Sequence, residues 1–207
     1  MTEDEARAWL IDRLDVSRET LAQLEAYATL VREGQQTQNL VSASTLPIFW
    51  SRHIVDSAQL VLLSGDGTWL DIGSGAGIPG VVTAILTGAP TILVEPRARR
   101  AAFLQETVET LGLNQVRIVA STVQKLVAKP ADIITARAIA ALPMLIQMAL
   151  PFAHEATVWV LPKGKNAQSE LASLPRAWQG VWTLHPSVTD RDSQILVGRN
   201  IKVESKR

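Results

Sequence analysis

Leu70-Asp71-Ile72-Gly73-Ser74-Gly75-Ala76-Gly77-Ile78-Pro79-Gly80 is the stretch of this sequence whose residue types and spacing look most like chemical machinery. It follows a strand-like run and precedes a helix-like one. In an open α/β sheet that is where ligands bind, beyond the carboxyl ends of the strands. Glycines there let the backbone approach a ligand closely and adopt positive φ. Pro79 suits the first turn of the next helix, where its missing N–H costs nothing. Other chemistries are excluded. With no cysteine there is no thiol nucleophile, disulfide scaffold, iron–sulfur cluster or cysteine zinc site. His53, His154 and His185 lie far apart in sequence, so no metal-ligand spacing is visible and no metal is expected.

The loop can be read in two registers. Gly75-Ala76-Gly77-Ile78-Pro79-Gly80 is a G-x-G-x-x-G, with Glu95 twenty residues beyond Gly75, as in an NAD(P)-dependent oxidoreductase. Alternatively, Asp71-Ile72-Gly73-Ser74-Gly75-Ala76-Gly77 matches the first motif of an S-adenosylmethionine-dependent methyltransferase. There an acidic residue ends the first strand and three alternate glycines wrap the amino-acid end of the cofactor, which makes Asp71, Gly73, Ser74, Gly75 and Gly77 cofactor-binding candidates. The second register is favoured because the strand pattern ends at Ile72; the first leaves Gly73 and Ser74 as an insertion. Glu95, at the end of the second strand, can accept hydrogen bonds from two ribose hydroxyls. Its plain alternative is an acid capping the next helix.

These residues need a sheet to position them. Residues 1–64 read as a helical extension: Ala6, Leu10 and Leu14 at helical spacing, then Leu21, Leu24, Ala28 and Val31 behind a Ser17 cap and before Gly34, then a third helix from about Ser51 to before Ser64. In 65–207 short β-branched runs alternate with helices. The strands are expected at Thr68–Ile72, Thr91–Glu95, Val116–Val119, Asp132–Thr135 and Thr157–Leu161, and the helices at Pro79–Leu86, Arg97–Leu111, Leu142–Leu150 and Ala167–Leu174. Such alternation implies right-handed crossovers and a parallel sheet covered on both faces. Val181–Leu184 and Gln194–Val197, joined by a short polar link, suggest a terminal antiparallel pair at the sheet edge. The fold class is therefore α/β: a Rossmann-like class I methyltransferase sheet of five parallel strands and a terminal antiparallel pair, with an N-terminal helical extension.

The chain has 207 residues, 47% of them hydrophobic, with 20 Lys+Arg against 20 Asp+Glu. That length suits one domain with an extension. Zero net charge supplies no global field toward nucleic acid or membrane, so any such binding needs a local patch. The acidic start, Met1-Thr2-Glu3-Asp4-Glu5, is the opposite of a signal peptide's n-region. The weakly polar stretch Ala138–Ala153 falls short of the roughly 18–20 apolar residues that span a bilayer. A cytoplasmic protein with no membrane association is expected. No heptad or unusual apolar stripe argues for a dimer, and a monomer is expected.

Arg52-His53-Ile54-Val55-Asp56-Ser57, Leu70–Gly80, Arg99-Arg100 with Phe103-Leu104, Thr135-Ala136-Arg137-Ala138 and Leu161 with Lys163-Gly164, together with Asn39-Leu40, carry a resemblance over nearly the whole chain. It resembles the bacterial guanine-N7 methyltransferase family of small-subunit ribosomal RNA, also called glucose-inhibited division protein B. The resemblance implies S-adenosylmethionine as cofactor, with a site at Gly73, Ile78, Val123-Gln124 and Arg137. It implies small-subunit rRNA, 16S rRNA, or the small ribosomal subunit as partner. The chain departs from the pattern twice. Thr122-Val123-Gln124 stands where the family usually has an Arg followed by x-Glu, a swap that removes both charges together. Glu95-Pro96 stands where Asp-Ser is usual, and Glu95 does the same job with one more methylene. Guanine N7 carries a lone pair and no proton, so its methylation needs no general base. It needs in-line placement, an orientation effect of up to ~7–11 kcal/mol.

The remaining candidates each have two readings. Arg137, ending the fourth strand, holds the substrate guanine or the cofactor carboxylate, or else pairs with Asp132 or Asp71. Arg52, His53 and Asp56, at helical spacing, have a substrate-side or a packing role. Lys163 touches RNA or is a solvated loop lysine; with Arg137 and His53 it completes the catalytic candidates. Arg97, Arg99 and Arg100 oppose the dipole of the helix they open, which RNA phosphates or solvation must offset. Lys202, Lys206 and Arg207 form a basic tail. Trp69 and Trp159 belong in the core, and Trp50 is the candidate for stacking on a base. A non-catalytic ribosome-assembly factor retaining the fold is the remaining rival.

Overall fold

The computed structural model describes residues 1–137, 139–175 and 178–203. Ala138 of the 135–138 element, and Lys206 and Arg207 of the basic tail, lie outside the described residues.

The N-terminal extension opens with α1 (Glu3–Leu14), held by a capping box in which the Thr2 hydroxyl accepts from the Glu5 N–H and the Thr2 N–H donates to Glu5 Oε2 at 2.7 Å. Helix α2 (Arg18–Gly34) starts at Ser17, whose hydroxyl accepts from the Thr20 N–H, as expected. The third helix is not continuous. A 3₁₀ turn (Ala43–Ile48) leads into a π-helical turn (Trp50–Val55), then α3 (Asp56–Ala58) and α4 (Val61–Ser64). Pro47 lies inside the first turn, and the Ser57 hydroxyl donates to the His53 carbonyl at 2.6 Å, competing with regular helix bonding.

The alternating region follows: β1 (Trp69–Ile72), α5 (Gly80–Thr87), β2 (Thr91–Val94), α6 (Ala98–Thr110), β3 (Val116–Val119), a 3₁₀ turn (Val123–Lys125), β4 (Ala131–Ala136), α7 (Leu142–Ala149), β5 (Ala153–Lys163), α8 (Ala167–Ala172), β6 (Trp178–Pro186) and β7 (Gln194–Val203). Among the described residues seven strands form one sheet in the order β3-β2-β1-β4-β5-β7-β6. The first five run parallel; β7 is antiparallel to both β5 and β6. The terminal pair thus exists but is longer than its apolar centres suggested, and β7 lies inside β6. Gly198 on β7 lets the two strands close up, because a Cβ there would collide with the Trp182 ring on β6.

Helices cover both faces. On one, the 1–64 region shares a core with α5 and α6, through Leu10, Leu24, Phe49 and Ile54 beside Val81, Val82 and Leu104. On the other, α7 packs on Ile72, Val94, Ile134 and Trp159. Trp69 and Trp159 are buried as expected. Trp50 is not a stacking platform: it is 1% exposed and roofed by the Arg7 guanidinium, 4.2 Å from its ring centroid. No helix among the described residues is long and apolar enough to cross a membrane.

Candidate functional site

A cleft of about 860 Å³ lies beyond the carboxyl ends of the parallel strands, where the glycine loop, the 40–45 segment, the π-helical turn, the β4 end and the β6–β7 link meet. That size suits a small-molecule site. Strand β1 stops at Ile72 and α5 begins at Gly80. In between, the Gly73 and Ser74 N–H groups donate to the Val94 carbonyl at 2.7 and 3.1 Å, and those of Gly77 and Ile78 donate to the Ser74 carbonyl. The loop is therefore a folded backbone turn. Its Gly73 α-carbon is bare on the cleft side, under Ile139.

Glu95 sits at the rim with 4% exposure. Its Oε2 accepts from the Gly75 N–H at 2.9 Å and its Oε1 from the Arg97 N–H at 2.8 Å. Glu95 is thus not a solvated acid: it accepts from the N–H of Arg97, the residue that precedes α6, and lines the cleft with a second acceptor position on each oxygen. Ile78, buried Val123 and exposed Gln124 supply further wall. A backbone cradle, a carboxylate and an apolar wall fit an adenosine-bearing cofactor, so the residues present suit the group.

Two expected cofactor ligands lie behind the wall instead. Asp71 is fully buried, one residue before the strand end, and does not line the cleft. Its Oδ2 accepts from the Gly80 N–H at 3.2 Å and its Oδ1 has no partner. Burial pushes the carboxyl up to about 7, against the pull of Gly80 and Arg137. Gly77 is likewise packed inward, facing Val81 and Leu104. Both support the loop rather than face a ligand.

On the opposite wall Arg137 follows β4, with its side chain 28% exposed. Its partner is neither Asp132 nor Asp71. Nη1 stands 3.8 Å from Asp56 Oδ2 and donates to His53 Nδ1 at 3.5 Å. Asp132 is engaged elsewhere, accepting from the Thr68 N–H and hydroxyl. Asp56 Oδ1 accepts from the Thr189 hydroxyl at 2.7 Å and from Gln59 Nε2 at 3.1 Å. His53 is 5% exposed; burial and the Arg137 and Arg52 charges push it down to about 3, so it is neutral at physiological pH. Arg52 stands 3.6 Å from Asp190 on the β6–β7 link. Lys163 is not a solvated loop lysine: its Nζ is 2.9 Å from Glu170 Oε2, which also accepts from the Leu142 N–H. Arg97, Arg99 and Arg100 do open α6. Arg99 and Arg100 donate to the carbonyls of Thr37 and Asn39, which offsets part of their conflict with the helix dipole.

Several positioning residues carry no signal in the sequence. The Tyr27 hydroxyl, on α2 and fully buried, donates to the Ala76 carbonyl of the glycine loop at 2.9 Å. Gln35 Oε1 accepts from the N–H groups of Leu40 and Val41, fixing a wall segment. The first is a contact across 49 positions of chain and the second a local side-chain turn, and periodicity reveals neither. Tyr27→Phe leaves a buried carbonyl without its donor, so cofactor affinity should fall by roughly fivefold to tenfold, or about 1 kcal/mol. Titration calorimetry with S-adenosylhomocysteine checks it, and unchanged affinity would separate Tyr27 from the loop.

Comparison with known proteins adds the lineage. The family described as rRNA small subunit methyltransferase G, GidB, matches residues 20–194. A protein of Sphingopyxis alaskensis called ribosomal RNA small subunit methyltransferase G is 44% identical over 205 residues, covering 98% of this chain and 88% of the relative. One of the same name from Rhizorhabdus wittichii is 43% identical over 211 residues, covering 100% and 96%. Among solved structures, cofactor-bound Rv0187 from MTB superposes with a TM-score of 0.64 at 14% identity, covering 98% of this chain and 99% of that one. An O-methyltransferase from Bacillus cereus in complex with SAH gives 0.61 at 16% identity, covering 94% and 96%. The fold is that of the class I S-adenosylmethionine-dependent methyltransferases.

Proposed function

The chain belongs to the GidB family of rRNA small subunit methyltransferases, and on that premise we propose that it methylates N7 of a guanine in 16S rRNA. The methyl donor is S-adenosylmethionine, which supplies a methyl group activated by the sulfonium. The oxidoreductase register of the glycine loop is set aside with the family assignment. Gly73, Ser74, Gly75 and Ile78 are assigned to the amino-acid end, Glu95 to the ribose, and Val123 and Gln124 to the adenine. Arg137, which lines the cleft, is assigned to the cofactor carboxylate or the substrate guanine.

One observation carries the choice of N7. Among the described residues that line the cleft, every carboxylate and the histidine are already engaged. Glu95 holds two N–H groups, Asp56 holds Arg137, Thr189 and Gln59, and Glu170 holds Lys163 and Leu142. His53 is bonded at both ring nitrogens. His53 is a weak base, because burial and the Arg137 and Arg52 charges push it down to about 3, and none of the three carboxylates stands unpartnered in the cleft as a ready base for an exocyclic amine or a ribose hydroxyl. An acceptor with a lone pair and no proton suits such a site, leaving the protein to place N7 in line with the methyl carbon. Arg52, Arg97, Arg100 and Lys163 line the cleft and, with Arg99 on the first turn of α6 outside it, are assigned to RNA phosphates. A monomer acting in the cytoplasm on rRNA or the small subunit completes the reading.

The test is transfer from labelled S-adenosylmethionine to small-subunit RNA, bare and in subunits, taken from a strain lacking this gene. Digestion should release label as 7-methylguanosine from one substrate form. Label in any other nucleoside overturns the N7 reading. Absence of label in both forms, despite cofactor binding, points to the assembly-factor alternative.

A further inference from the structure

The π-helical turn carries a directed chain of hydrogen bonds that ends in the cleft. The Thr45 hydroxyl lies 2.7 Å from the Ser42 carbonyl, to which it donates its only proton. Its oxygen also lies 2.8 Å from His53 Nε2, so at that contact Thr45 accepts and Nε2 carries the hydrogen. A neutral imidazole then has a bare lone pair at Nδ1, and that nitrogen faces Arg137 Nη1 at 3.5 Å. The ring is held in place by Phe49, 5.0 Å away between centroids, and by burial. A proton on Nδ1 would stand against the Arg137 and Arg52 charges, so the acceptor face is kept open.

From this geometry we propose that His53 is a positioning residue: its tautomer, fixed by Thr45, presents Nδ1 as an acceptor that aims the Arg137 guanidinium into the cleft. Asp56 Oδ2 stands 3.8 Å from the same Nη1, near enough to neutralise the guanidinium but beyond hydrogen-bond reach, so it does not fix its plane. The proposal rests on the reading of Arg137 as a cleft contact given above. It assigns His53 to orientation rather than to proton transfer or RNA binding.

Two substitutions separate the ends of the ring. Asparagine places an amide oxygen near the Nδ1 position; glutamine reaches the Nε2 position and leaves Nδ1 empty. In the full-length protein, His53→Asn should keep S-adenosylhomocysteine affinity and turnover within about threefold of the parent, whereas His53→Gln should lose about tenfold or more, the size expected for a hydrogen bond to a charged group. Equal values for the two variants, at either level, overturn the proposal. A reading that survives poor folding comes from ¹⁵N NMR of the unsubstituted protein. His53 should show a pyridine-like Nδ1 and a protonated Nε2, and Thr45→Val should abolish that preference and weaken S-adenosylhomocysteine binding severalfold. A protonated Nδ1 in the parent sinks the idea. None of these binding or spectral readouts needs RNA, so they fail independently of which nucleoside is methylated.

Discussion

Gly77→Ala lowers the unfolding free energy by about 2–5 kcal/mol, although Gly77 faces no ligand. Two costs combine. The residue is left-handed, with φ +94°, which an L side chain adopts at roughly 1–2 kcal/mol. An added Cβ would also run into the Val81 side chain and come within 3.1 Å of Leu104 Cδ2, inside a packed core, where overpacking costs roughly 1–3 kcal/mol. Gly88, past the other end of α5, is the control. Its φ is +64° and a Cβ there meets nothing within 4 Å, so alanine should cost the conformational part alone, about 1–2 kcal/mol. Urea denaturation of the two variants measures the difference. The Gly77 variant should also bind S-adenosylhomocysteine at least tenfold more weakly, because the Gly77 N–H holds the Ser74 carbonyl at 2.7 Å and its carbonyl accepts from Val81. Equal losses at both glycines would show that α5 moves aside freely.

Asp71→Asn makes stability less dependent on pH, with opposite signs at the two ends of the range. The folded carboxyl titrates near 7 because it is buried, whereas its ordinary value is 3.8. Between those values the unfolded chain has released the proton and the folded chain keeps it, so the parent loses stability as pH rises from about 4 to about 7. The full loss corresponds to roughly 4 kcal/mol, an upper bound. Asparagine has no such slope, but its amide would put N–H groups where Asp71 Oδ1 has no partner, at about 1–3 kcal/mol. The variant should therefore be less stable than the parent at pH 4.5 and more stable at pH 8. Urea midpoints at three pH values give the crossing; parallel curves would mean that the carboxyl ionises normally beneath the loop.

Much of this architecture can be read from the chain. The five parallel strands, the glycine turn between Ile72 and Gly80, the Ser17 cap and the burial of Trp69 and Trp159 are local or periodic signals, and they appear as expected. What escaped depends on contacts between distant segments. Arg137 pairs with Asp56 because the π-helical turn brings residue 56 across the β4 end, a register that no spacing rule encodes. Trp50 looked available beside Arg52 and His53, yet α1 covers it through Arg7. Asp71 and Gly77 belong to the motif but point inward, Asp71 to the Gly80 N–H and Gly77 against Val81 and Leu104, a packing that the spacing of the motif does not encode. Tyr27, 49 positions from Ala76 and joined to the loop only in space, shows how the helical extension enters the site.

The strand order has a consequence for biosynthesis. β6 leaves the ribosome before β7 but can join the sheet only through it, because β7 separates β6 from β5. Until residues 194–203 have been translated, the eleven-residue β5 presents an open edge with Trp159, Val160 and Leu161 at its centre. Such an edge invites pairing with other chains. Sheet completion is therefore a late, long-range event in the nascent protein. Chains stalled between β6 and β7 should be the aggregation-prone species, whatever the stability of the finished molecule.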